Sequence, residues 1–165
     1  MSSTTHNRRW GFAWLGLATA LAVHVADEAF TDFLPLYNSI VTGLRDSYSF
    51  VPFPTFTFPI WLGGLIAGVL LLYALTPFAF AGRLGLRYLA YPLSVLMILN
   101  ALGHTAASVY LGTPAPGVYS SPLLLLAAVA LLVTTRSITR STRRWRFKLD
   151  ATTANTGTNR RRGTQ

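Results

Sequence analysis

The sequence predicts an all-α fold, a four-helix transmembrane bundle with both termini cytoplasmic. Three observations predict it. Of 165 residues, 52% are hydrophobic and 12% charged, about half the charge that covers a soluble domain of this size. The apolar residues gather into four runs near the length of about 20 residues that crosses a hydrocarbon core. The arginines outside the tail fall mainly on alternate connections between those runs. There is no cysteine, which excludes disulfides, thiolate metal sites and a cysteine nucleophile.

The first run spans 10–30, "WGFAWLGLATALAVHVADEAF", and carries His24, Asp27 and Glu28 at its far end. The preceding "NRR" and the small residues of "ATALAVHVA" also fit a secretory signal, but the length of the run and its polar trio favour a span that stays attached. Residues Thr31 to Phe56 read as an outer connection lying at the interface, because "SYSFVPFPTF" mixes aromatic rings with prolines. The second run spans 56–80. Its Pro59 suits a first helical turn, Pro77 should end or kink the helix, and Gly64 and Gly68 form a pair that permits close helix contact. The third run spans 84–111, with a kink expected at Pro92. After the uncharged turn "GTPAPGVY", the fourth and shortest spans 121–136 and opens on Pro122.

Arg8 and Arg9 precede the first run, Arg83 and Arg87 separate the second from the third, and Arg136 and its successors follow the fourth. The opposite side holds Asp27, Glu28, Asp32, Arg45 and Asp46. The positive-inside rule therefore puts residues 1–9 and the tail, 137–165, in the cytoplasm of a cell-membrane protein. Most of the net charge of +9 lies in that basic, low-aliphatic tail, which reads as largely disordered. Arg140, Arg143, Arg144, Arg146 and Lys148, with Trp145 and Phe147, suit anionic lipid headgroups at about 1 kcal/mol per basic residue. No recognition fold accompanies them, so no nucleic-acid partner is expected.

Ionisable groups inside a bilayer cost about 2.5–3.5 kcal/mol each on insertion and face a partner or water. His24, Asp27 and Glu28 share one helix face, as do Asn100, His104 and Ser108. Counted from Trp10 and Leu86 at a rise of about 1.5 Å per residue, His24 and Asn100 both lie roughly 21 Å deep, and Glu28 and His104 roughly 27 Å. All of them fall in the outer leaflet and should converge.

"HVADE", followed far downstream by "NALGH" and "PAPGVYSSPLLLL", resembles the HXXEE-domain family of small multi-pass membrane proteins over about residues 10–135. By that pattern His24, Glu28, Asn100 and His104 match, whereas Asp27 stands where the family has Glu. The resemblance implies a membrane protein with a catalytic role and names no reaction.

Two imidazoles and a carboxylate from His24, Glu28 and His104 make the donor set of open catalytic zinc sites. Zinc or another divalent metal held there would activate water. Asp27 would act as general base or orient an imidazole, and Asn100 would polarise a carbonyl. These five are the candidate catalytic residues, with Ser108, Tyr110 and Tyr119 in support. A site in the outer leaflet points to hydrolysis of a lipid-like, amphiphilic small molecule. The same residues also fit metal-free acid–base chemistry, a proton-linked carrier or ligand-binding module, haem between His24 and His104, or a hydrogen-bonded network joining two helices.

Overall fold

The computed structural model describes residues 3–48, 50 and 52–136, so the basic patch read between Arg140 and Lys148 lies outside the described residues. Within them there are five α-helices and no strand: α1 (Ser3–Phe30), α2 (Phe33–Ser47), α3 (Phe58–Phe80), α4 (Leu84–Leu111) and α5 (Ser121–Arg136). Helices α1, α3 and α4 are long and apolar enough to cross a membrane. Helix α5 is apolar but shorter, rising about 24 Å.

The helix ends follow local chemistry. Pro59 sits in the first turn of α3, where its missing N–H costs nothing. Helix α3 runs past Pro77 to Phe80, and Pro92 likewise lies inside α4. Gly112 ends α4 in the left-handed conformation, φ 67°. Helix α1 starts seven residues earlier than the apolar run, at Ser3 rather than Trp10. Polar residues 3–9 contain no breaker, so the helix continues beyond its apolar part.

Helix α1 is the central element. Its span is 44% buried within the chain, against 17% for α3 and for α4. Trp10 Nε1–H donates to Thr135 Oγ1 of α5 at 2.9 Å, and Trp14 Nε1–H donates to the Leu72 carbonyl of α3 at 2.9 Å. Leu17, Ala18, Ala79, Ala90, Ala101, Leu124, Ala128 and Leu131 pack around them. Gly11 lets α3 come close, since a Cβ there would meet Phe80 Cδ1 at 2.5 Å. Gly64 and Gly68, by contrast, face open space, so the contact expected of them is not made within the chain.

The segment read as an irregular outer connection holds α2, a helix of 15 residues. It is amphipathic, with Leu34 and Val41 buried and Ser39, Thr42 and Asp46 exposed. Asp32, at φ 60°, makes the turn that separates α2 from α1, a conformation that Asp tolerates better than most residues. The chain returns along α2. Asn38 Nδ2 donates to the Phe56 carbonyl at 2.9 Å while its Oδ1 accepts Phe56 N–H at 3.1 Å, and Tyr37 OH donates to the Pro54 carbonyl at 3.0 Å.

Candidate metal centre

Three pieces of chain meet at the far end of α1. Helix α1 presents His24 and Glu28 one turn apart, α4 presents Asn100 and His104 one turn apart, and the loop before α5 brings Pro116, Gly117 and Ser120 over them. His24, Glu28 and His104 are 1%, 6% and 6% exposed, so none is hydrated as it would be on a surface.

Glu28 Oε1 lies 3.0 Å from His104 Nε2 and 3.5 Å from His24 Nε2. The imidazole centroids are 4.9 Å apart with planes at 76°. One ligand atom from each of the three residues can be chosen so that all lie within 4.8 Å of one another. In a tetrahedral site with bonds of about 2.0–2.1 Å, neighbouring donors are separated by roughly 3.3–3.4 Å. The two Glu28 distances straddle that edge length.

The other ring nitrogens fix where the protons are. Asp27 Oδ2 accepts Ser120 N–H at 2.8 Å and Ser120 Oγ–H at 2.7 Å. A carboxylate can only accept, so the serine proton is committed to Asp27. Ser120 Oγ therefore accepts from His24 Nδ1, 2.8 Å away. His104 Nδ1 donates to the Pro116 carbonyl, which also can only accept. With both Nδ1 atoms protonated, the Nε2 lone pairs turn toward Glu28, and that of His24 also accepts from Asn100 Nδ2 at 2.9 Å. The His104 Nε2 lone pair and the Glu28 oxygen 3.0 Å away repel one another unless a cation, metal or proton, is shared between them, and a metal held by His24 as well would take its Nε2 lone pair from Asn100. Histidine ligands of metals are usually oriented by such a bond from the second nitrogen.

The loop can lie so close only because of Gly117. At φ 81°, a Cβ on it would fall 2.7 Å from His104 Cε1 and 3.1 Å from Glu28 Cγ. Its N–H donates to Thr31 Oγ1 at 3.1 Å, and Thr31 Oγ1–H donates to the Asp27 carbonyl at 2.6 Å. Ser108 fastens the same loop, donating to the His104 carbonyl and accepting Ala115 N–H.

The structure thus gathers His24, Glu28, Asn100 and His104 directly, and Asp27 through one intervening hydroxyl. Tyr110 and Tyr119 are 90% and 71% exposed and do not join them. Ser120, Gly117, Thr31 and the Pro116 carbonyl were not singled out in the sequence. The only signal there was the Pro-Gly turn at 116–117. A haem between His24 and His104 does not fit, because the two rings meet edge to face with Glu28 bonded to both, leaving no gap for a macrocycle.

Two clefts reach the centre from either side of Phe33, whose ring lies 5.2 Å from that of His104. One, of about 240 Å3, runs between α2 and α4 to Asn100 and His104, walled by Leu36, Ile40, Leu99 and Ala107. The other, of about 250 Å3, reaches Glu28 beside Asp32, Phe58 and Trp61. Comparison with protein-family models, curated proteins and solved structures finds no match to this chain.

Proposed function

We propose that this protein is a membrane-embedded, metal-dependent hydrolase of the HXXEE type that acts on a lipid-like substrate. The observation that carries the reading is the convergence of one ligand atom each from His24, Glu28 and His104 within 4.8 Å, with both Nδ1 atoms engaged by Ser120 and Pro116 and Asn100 on the His24 Nε2 that a metal would take. His24, Glu28 and His104 would hold zinc or another divalent ion. Such an ion supplies Lewis acidity and lowers the pKa of a bound water toward neutrality. Asp27 acts through Ser120 as a positioning residue for His24. Asn100 gives the substrate carbonyl a carboxamide donor beside the ligands. The apolar cleft between α2 and α4 supports a substrate with a hydrocarbon chain, which reaches His104 without leaving the bilayer.

The site belongs to a bundle of four crossings, α1, α3, α4 and α5, with both termini cytoplasmic in the cell membrane. The placement of Arg8, Arg9, Arg83, Arg87 and Arg136 supports that orientation, and the metal centre then opens to the outer leaflet.

Elemental analysis of the purified protein tests the metal. About one equivalent per chain is expected, absent from His24→Ala and His104→Ala variants that keep their helical circular dichroism. A metal-free protein with normal helicity removes the metal reading and leaves acid–base chemistry by the same residues. Hydrolysis of long-chain esters or amides in detergent, without any gradient, separates the enzyme from a carrier.

A further inference from the structure

We infer that the cleft bounded by α1, α2 and α3 receives the ammonium group of an amphiphilic substrate. This names the polar part of the substrate and rests on the hydrolase reading for that word alone, since the binding stands on the cleft itself.

The walls are aromatic. Trp61 stands 6.0 Å from Phe33 at an interplanar angle of 32°, and 5.8 Å from Phe58 at 45°, and Phe56 adds a fourth ring. Together these rings line a space of about 250 Å3. That is below the roughly 300 Å3 at which pockets for drug-sized ligands begin, so a headgroup fits and a whole lipid does not. Ring faces attract cations through their quadrupoles, and aromatic cages of this composition are the usual receptors for quaternary ammonium.

The charges agree. Glu28 and Asp32 are the ionisable groups of the cleft. Glu28 is engaged by the two histidines, and among the described residues no lysine or arginine forms an ion pair with Asp32. Arg45, the sole arginine or lysine between Arg9 and Arg83, is directed to the Phe53 carbonyl. An anionic headgroup would find carboxylates and no cation. An ammonium group finds rings and a carboxylate.

Aromatic rings also gather at membrane interfaces with no ligand at all, so the test turns on headgroup preference. The full-length protein in maltoside micelles is titrated with a fluorescent-tailed alkyl phosphocholine and with the chain-matched phosphoglycerol, which share a phosphate and differ in the ammonium. The phosphocholine should bind about ten-fold more tightly. Asp32→Asn and Trp61→Leu should each erase that preference. Asn tolerates the φ of 60° at residue 32, so Asp32→Asn removes charge without disturbing the turn. Equal affinity for the two probes, or an unchanged preference in Asp32→Asn, overturns the assignment and leaves the rings as interfacial anchors. The His104→Ala variant separates the two readings. It should lose metal yet keep its headgroup preference, whereas a wild-type protein that holds metal but ignores the headgroup would lose this inference and keep the hydrolase.

Discussion

Ser120 and the Pro116 carbonyl perform the same service for two different imidazoles, each holding a proton on Nδ1. The chain to His24 is the more vulnerable, because a hydroxyl can reverse its bond. In Asp27→Asn the new amide can donate to Ser120 Oγ, which frees the hydroxyl proton to turn toward His24 Nδ1. The ring proton then moves to Nε2 and covers the lone pair a metal needs. Divalent-metal affinity should fall about 10–100-fold, the usual effect of losing an orienting partner, with helicity unchanged in a chelator-competition titration. An unaltered affinity would mean that Asp27 does not set the tautomer. "HVADE" and "NALGH" were enough to identify the residues that meet, because i+3 and i+4 spacing places them on one face. The carboxylate beside the imidazoles was legible too: the sequence puts Glu28 in the donor set and Asp27 beside it as an orienting partner, and the ligand atoms that lie together are those of His24, Glu28 and His104. The Pro116 carbonyl was beyond reach, for a backbone oxygen carries no mark in a sequence. Ser120 was hidden for a related reason, being an ordinary serine until the loop sets it between Asp27 and His24.

Apolar length made α3, α4 and α5 legible nearly to their ends, and proline and glycine marked several of those ends. Helix α2 escaped because only its period, not its length, announces it: Leu34 and Val41 are buried two turns apart while Ser39 and Thr42 face out. Its attachment is as specific as its position. Asn38 joins both the N–H and the carbonyl of Phe56, and Asn38→Ala strips that backbone unit of both partners at a cost of about 1–3 kcal/mol. Amide hydrogen exchange should quicken in α2 and in residues 52–57 while α1 and α5 keep their protection. Acceleration spread evenly over all helices would show instead that α2 has no separate stability. Because Phe33 borders both clefts, loosening α2 widens access to Glu28 and His104 from two directions at once.

At the scale of the whole molecule, α1 is the axis on which the others lean, and Trp10 and Trp14 tie it to α5 and α3 by buried indole bonds. The proposed orientation is unusually simple to check because the chain lacks cysteine. Single cysteines at Asp46 and Thr113 should react with a membrane-impermeant thiol reagent on intact cells, and those at Thr4 and Gly85 only after permeabilisation. Any other pattern rejects an arrangement of four crossings with cytoplasmic termini. The contacts that finish the site also carry a consequence in time. His24 and Ser120 are 96 residues apart in the chain, and Trp10 and Thr135 are 125 apart. A growing chain therefore commits His24 and Glu28 to the bilayer long before the groups that fix their protons have been synthesised. Until then those side chains must keep water beside them, since burying them unpartnered is costly. Arrival of the last helix and its loop is the step that completes the centre, so a chain released early holds both histidines and lacks the bonds that orient them.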